Sequence, residues 1–111
     1  MDDSWGLTRM TRVEVVIGGE DVAVVSSLIS DVGATGFTVV PNVSGLGHGG
    51  FHQGRLLFND RDGLALVTVV LPESKCGALL EGLRRLLARR SGVLLVSDTW
   101  VSRPAYFDSQ T

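Results

Sequence analysis

The sequence predicts an α+β domain in which two helices cover one face of a four-stranded antiparallel sheet. Two segments carry apolar residues at the three- and four-residue spacing of helices, and four other segments have the patterns of strands. Their order along the chain is strand, helix, strand, strand, helix, strand. The length of 111 residues corresponds to a single domain.

The first strand is predicted to begin at Thr11, after a flexible arm formed by residues 1–10. Its apolar residues alternate with other positions until Gly18-Gly19 ends the run; they are Val13, Val15 and Ile17. The folded domain is therefore expected to occupy residues 11–111.

The first helix is predicted from a single apolar face, made of Val22, Val25, Leu28, Ile29 and Val32. Glu20 and Asp21 stand in its first turn, where the helix dipole favours negative charge. Gly33 provides a C-terminal stop, because glycine readily adopts the left-handed conformation found after helices.

A second strand is predicted over residues 36–44, with Pro41 inside it. Proline cannot donate a ladder hydrogen bond, so this strand is expected at an edge of the sheet or with a bulge. The glycine-rich residues 45–54 follow and show neither helical nor strand periodicity. They predict a long loop between the second and third strands.

The third strand, at residues 64–71, is apolar at nearly every position, which predicts burial on both faces. Pro72 opens a second helix, which Gly92 ends. Its apolar stripe consists of Cys76, Leu79, Leu80, Leu83, Leu86 and Leu87. A fourth strand at residues 93–96 leads into a short extended piece at residues 99–101, and the tail from residue 103 is expected to be irregular.

This element order describes a ferredoxin-like βαββαβ sandwich, with both helices on one face of the sheet. The third strand needs cover on its other face as well. In so short a chain, other subunits are the natural cover, so the sequence predicts an oligomer.

Composition excludes several classes of function. The net charge is −2 and no lysine or arginine run forms a stripe for nucleic acid. No apolar run is long enough to span a bilayer, and no secretory signal follows Met1. The single cysteine, Cys76, cannot form an intrachain disulfide and is expected in the core. These features predict a cytoplasmic protein without membrane insertion.

The glycine-rich segment is the strongest candidate for a binding site. Glycines at this density let backbone N–H groups approach an anion, although a loop without a ligand has the same composition. The spacing matches neither the Walker nor the Rossmann pattern. His48 and His52 are better suited to be solvent-exposed loop residues, or hydrogen-bond donors to an anion, than metal ligands, since no carboxylate lies close in the sequence.

Catalysis has little support, because the serines of the first helix have no histidine near them in the sequence. Arg89 and Arg90 stand where the chain turns back towards the sheet. They fit equally well as anion ligands and as cations that complement the C-terminus of the second helix. We therefore expect no enzymatic activity and no resident cofactor or metal.

The second strand and the start of the glycine-rich loop resemble a known family. The run Gly36-Phe37-Thr38-Val39, followed by Val43-Ser44-Gly45-Leu46-Gly47, resembles the signature of PII signalling proteins. The resemblance extends from about Thr11 to Arg103 and includes the first strand and the apolar third strand that ends before Pro72. It implies a homotrimer with ATP, ADP or AMP in clefts between subunits. It also implies that the loop between the second and third strands is the T-loop, whose shape reports to a target protein.

The resemblance also implies which residues contact the nucleotide. By position, those around the base and ribose are Val16, Thr38, Gly45, Leu46, Gly47 and Val70. His48 stands where PII proteins usually carry an arginine, and Arg103 resembles an arginine that the family directs towards phosphates. Arg89, Arg90 and Gly92 occupy the exit of the second helix, where the family has its phosphate-binding B-loop.

Departures from the family pattern refine these expectations. The B-loop lysine is missing, which favours ADP or AMP over ATP, and the T-loop lacks the tyrosine used for uridylylation. These features are similar to those of divergent PII-like proteins of inorganic-carbon assimilation, including carboxysome-associated forms. That resemblance implies bicarbonate as a second effector. Our hypothesis is that the glycine-rich loop holds this anion, with Gly49, Gly50, His52 and Arg55 as the candidate donors. The alternatives are a weak nucleotide hydrolase in the same cleft and a trimeric interaction module that binds no nucleotide.

Overall fold

The computed structural model describes residues 5–44, 46–47, 50–51 and 63–108. In this part of the chain, two helices and six strands follow in order: β1 (Thr8–Gly18), α1 (Val22–Asp31), β2 (Thr38–Val43), β3 (Leu46–Gly47), β4 (Gly50–Phe51), β5 (Leu64–Leu71), α2 (Cys76–Leu87) and β6 (Gly92–Val101). The main sheet has the antiparallel order β2-β5-β1-β6, while β3 and β4 pair separately. The predicted ferredoxin-like fold is confirmed.

Strand β1 begins earlier than the sequence predicts. Thr8, Arg9 and Met10 are part of the strand and pair with Val101, Trp100 and Thr99 of β6, respectively. Met10 is 6% exposed, so residues 8–10 do not belong to the predicted flexible arm. The ladder with β6 stabilises these residues, and their own sequence carries no alternation that would indicate it. The same ladder makes β6 continuous where two short pieces were predicted.

Strand β2 confirms the interpretation of Pro41. The strand lies at an edge of the sheet, and its register with β5 shifts between Pro41 and Val43. Asn42 has a φ of 61°, the left-handed conformation that asparagine tolerates better than most residues. An edge strand with a bulge accommodates proline, because one side of such a strand has no neighbour that needs its N–H group.

The core lies between the two helices and one face of the sheet. On that face the residues of β1 and β5 are at most 3% exposed: Val13, Val15, Ile17, Ala65, Val67, Val69 and Leu71. The helices contribute Val25, Ile29, Cys76, Leu79 and Leu83. The opposite face of β5 is only half-buried, so the predicted burial on both faces is not achieved within one chain.

Candidate functional site

Three predicted contact residues lie on the sheet face that the helices leave uncovered. Val16 pairs with Leu66 of β5, Val70 pairs with Arg12 of β1, and Thr38 pairs with Thr68 of β5. Leu66 and Val70 are four residues apart on one strand, which corresponds to about 13 Å. One protomer therefore does not bring Val16 and Val70 together around a single adenine ring.

The sheet face that the helices leave uncovered, called the open face below, has a polar centre within an apolar surface. Glu14 accepts a hydrogen bond of 3.2 Å from the Thr68 hydroxyl. Arg12 Nε lies 3.9 Å from Glu14 Oε1 and donates to Ser97 Oγ at 3.4 Å. Around this centre Val40, Val93 and Leu95 are 43%, 51% and 50% exposed. An exposed apolar surface of this kind is typical of a face that another protein surface covers.

Arg90 joins the turn before β6 to the turn before α1. Its Nε donates to Asp21 Oδ2 at 3.0 Å, and its Nη2 donates to Glu20 Oε2 at 3.3 Å. Asp21 is only 7% exposed, and its side chain does not cap α1. Local sequence patterns do not reveal this cluster, because Asp21 and Arg90 are 69 positions apart in the chain. Arg90 thus has carboxylate partners that its sequence position did not predict.

Arg89 is exposed and makes no ion pair within the described part of the chain. Together with Arg90 it borders a groove of about 370 Å³ between α1 and α2, lined also by Val24, Leu28 and Leu86. The two neighbouring arginines, for which the sequence predicts the same role, therefore differ in their ion pairs. Arg90 is ion-paired with carboxylates, while Arg89 presents its charge to solvent.

Gly92 brings β6 close to the predicted contact residue Val16. A Cβ built on Gly92 would lie 2.8 Å from the backbone oxygen of Val16 and 2.6 Å from Leu87 Cδ2. Only a residue without a side chain permits this approach without movement of the backbone. Val16, Gly92 and the ion-paired Arg90 thus mark the same end of the sheet.

Arg103 lies in the tail that follows β6. The centre of its guanidinium is 5.6 Å from the Tyr106 ring centroid, and its Nη1 lies 3.4 Å from the Tyr106 hydroxyl. The Thr35 hydroxyl donates to the carbonyl of Tyr106. Because Thr35 precedes β2 and the tail follows β6, this segment connects opposite edges of the sheet. The tail predicted as irregular contains a 3-10 turn at Pro104–Tyr106.

The glycine-rich segment is described only in part. Leu46 pairs with Phe51 and Gly47 pairs with Gly50, so a short ladder is present where no periodicity was predicted. Gly45, His48, Gly49, His52 and Arg55 lie outside the described residues. Their predicted roles remain predictions.

Cys76 is a core residue, as its position on the apolar stripe predicts. Its thiol lies 3.6 Å from the carbonyl oxygen of Pro72. Burial raises the pKa of the Cys76 thiol; a hydrogen bond with Thr11 lowers this pKa, and the Glu73 carboxylate raises it. A thiol with a raised pKa is a poor nucleophile at neutral pH.

Two further kinds of site are absent from the described residues. Among them, no three histidine, cysteine, aspartate or glutamate side chains are grouped so that they could hold a metal ion. In the same part of the chain, no helix is long and apolar enough to cross a membrane.

Comparison with known proteins gives consistent matches over most of the chain. The model of the family described as nitrogen regulatory protein P-II matches residues 10–106. CPII, a nitrogen regulatory PII-like protein from Thiomonas intermedia K12 solved with ADP, AMP and bicarbonate, is 34% identical with a TM-score of 0.85, over 93% of this chain and 97% of that chain. The same protein bound to ADP and bicarbonate matches with 31% identity and a TM-score of 0.78, over 91% and 96% of the two chains.

A more distant match shows the fold alone. A protein described as PII-like from Thermus thermophilus is 19% identical with a TM-score of 0.68, over 91% of this chain and 97% of that chain. No curated protein matches the sequence.

Proposed function

Because the chain belongs to the nitrogen regulatory protein P-II family, we propose that it is a PII-like signalling protein that binds ADP or AMP and reports the bound nucleotide through its T-loop. The observation that carries this proposal is the likeness to Thiomonas CPII, which extends over 93% of the chain. The structure of that protein was solved with ADP, AMP and bicarbonate. ATP is a third, weaker ligand in this proposal.

The nucleotide is proposed to bind in clefts between the subunits of a homotrimer. Val16 and Val70 are too far apart to hold one adenine ring within a protomer, whereas residues from two protomers can enclose it. The apolar open face with Val93 and Leu95 supports a contact between subunits, since half of each side chain is exposed in one chain. Thr38 and Val43, the first and last residues of β2, pair with Thr68 and Leu64 on the same open face of the sheet.

Bicarbonate is proposed as a second ligand, held by the T-loop. The candidate donors are the backbone and side chains of Gly49, Gly50, His52 and Arg55, with His48 and the backbone of residues 45–47 nearer the nucleotide. Glycines in this segment permit backbone N–H groups to converge on a small anion. The presence of bicarbonate together with ADP in the structure of Thiomonas CPII supports this assignment.

In this mechanism no covalent chemistry is required. The nucleotide and bicarbonate each stabilise the same ordered form of the T-loop, so each tightens the binding of the other. A target protein of inorganic-carbon assimilation then recognises the ordered loop, in the cytoplasm or at the carboxysome. The protein therefore acts as a sensor of adenine nucleotides and bicarbonate.

The direct test is calorimetric titration of the purified protein with ADP and with AMP, each without and with bicarbonate. We expect binding of both nucleotides in the micromolar range or tighter, and about fivefold or greater tightening by bicarbonate. Nucleotide binding that ignores bicarbonate would leave a plain nucleotide sensor. Absence of any nucleotide binding would overturn the proposal and favour a trimeric interaction module, and release of phosphate during the titration would favour the hydrolase.

A further inference from the structure

The positive charge at the exit of α2 is offset by nearby carboxylates. The two arginines of this exit, Arg89 and Arg90, are matched by Glu20 and Asp21 on the turn before α1, so the formal charges of the two turns cancel. Two of the N–H groups of Arg90 are already directed at carboxylate oxygens. A phosphate that approaches this turn therefore meets two exposed guanidinium groups, and the charge of Arg90 is offset by carboxylates while Arg89 has no ion pair among the described residues.

This balance matters for how many phosphates the turn can stabilise. Each further phosphate of a nucleotide adds negative charge, and its binding is favourable where cations are in excess. At the ion-paired cluster the attraction from Arg90 is offset by repulsion from Glu20 and Asp21. The third phosphate of ATP then gains little from the turn, whereas AMP and ADP depend on it less.

From this geometry we infer that Glu20 and Asp21 are specificity-determining residues, which set the preference for ADP and AMP over ATP by offsetting the charge of Arg90. The inference rests on the proposed nucleotide function and extends it to the residues that select the phosphate count. Glu20 and Asp21 act through Arg90 and are positioning residues, without a contact to the nucleotide of their own.

The two carboxylates differ in how they can be tested. The Asp21 side chain is 10% exposed and lies 3.0 Å from Arg90 Nε, so its removal breaks a largely buried contact and leaves Arg90 paired with Glu20 alone. The Glu20 side chain is 51% exposed at 3.3 Å, so its charge can be removed with little effect on folding. Glu20 is therefore the informative position.

The experiment compares Glu20→Gln and Glu20→Lys with the unmodified protein by titration with ATP, ADP and AMP at low ionic strength. Removal of one negative charge should tighten ATP binding about threefold relative to AMP, and reversal of the charge should increase this shift further. ADP should show an intermediate change. Because salt screens charges on exposed groups, the shift should shrink at high ionic strength.

The matched control is Glu81→Gln. Glu81 also pairs with an arginine on α2, since Arg85 Nη2 lies 2.9 Å from its Oε2, and it is similarly exposed. The same change of net charge at this position should leave the ratio of ATP to AMP affinity unchanged. Thermal unfolding of each variant verifies that the fold is retained.

The outcomes separate the inference from the proposed function. If the unmodified protein binds no nucleotide, the proposed function and the inference both fail. If nucleotides bind normally but the ATP-to-AMP ratio is the same in Glu20→Gln, Glu20→Lys and the unmodified protein, the inference alone is overturned. An equal shift in Glu81→Gln would likewise overturn it, because the effect would then come from net charge.

Discussion

The two faces of the main sheet differ in how much of each is buried within a single chain. On the helix-covered face Val13, Val15 and Val67 are 1% exposed, and the helices close the layer with Leu79 and Leu83. On the open face Val93 and Leu95 remain half-exposed around a polar centre. The first face forms the core along β1 and β5, and only at the edge strand β6 does it leave Val96, the partner of Val13, 50% exposed. The second face has the composition of an interface. Stability is thus encoded within one chain, whereas the proposed binding site requires several.

The largest loss of stability is expected from a substitution in the core on the helix-covered face. Leu79 is fully buried, so Leu79→Ala should lower the free energy of unfolding by about 2–5 kcal/mol through lost burial and a residual cavity. Urea denaturation followed by circular dichroism measures this. Leu80→Ala, at a half-buried neighbour on the same helix, is the control and should cost clearly less. Equal losses at the two positions would contradict the assignment of the core.

On the open face, a charge should disrupt assembly and spare the fold. Leu95→Lys places an ammonium group in the proposed subunit contact, which should weaken association about tenfold or more. Sedimentation at several concentrations reports the mass, and the urea midpoint of the dissociated chain should show that its core is intact. Val24→Lys, at a residue that is 46% exposed on α1, is the matched control. An unmodified protein that sediments as a monomer would refute the comparison between the faces.

A smaller loss of stability than that of Leu79→Ala is expected at the end of the sheet, where Gly92 approaches Val16. Gly92→Ala forces a Cβ against the backbone of Val16 and should reduce stability by about 1–3 kcal/mol. The same change should weaken nucleotide binding, because it displaces Val16. Gly77→Ala meets no atom within 4 Å and lies in a helix, where alanine is favoured, so this control should be neutral or stabilising. Thermal melting and ADP titration together test both effects, and an undisturbed Gly92→Ala protein would argue against the close approach.

Much of the fold could be predicted from local sequence patterns. Alternation along β1 and the spacing of apolar residues on α1 are direct consequences of strand and helix geometry. Pro41 predicted an edge strand or a bulge because it lacks a donor, and the structure has both. The extension of β1 to Thr8 could not be predicted, because β6 stabilises it from the far end of the domain. Local patterns carry no information about such distant pairing.

The candidate site was less predictable for the same reason. Family resemblance indicated Arg90 as a phosphate ligand, but its partners Glu20 and Asp21 are distant in the sequence and depend on how two turns meet in space. Arg103 was expected to reach phosphates, and the structure places it against Tyr106 in a tail tied to Thr35. Side-chain partners of this kind require the tertiary structure.

The position of β1 in the sheet has a consequence for synthesis on the ribosome. This strand is made first, yet both of its neighbours, β5 and β6, come much later in the chain. At about 5–20 residues per second, several seconds pass before β5 can pair with it. During that interval the apolar stretch around Val13 and Val15 is available to other nascent chains. The charges of Arg12 and Glu14, which interrupt this stretch, then act as gatekeepers against premature association.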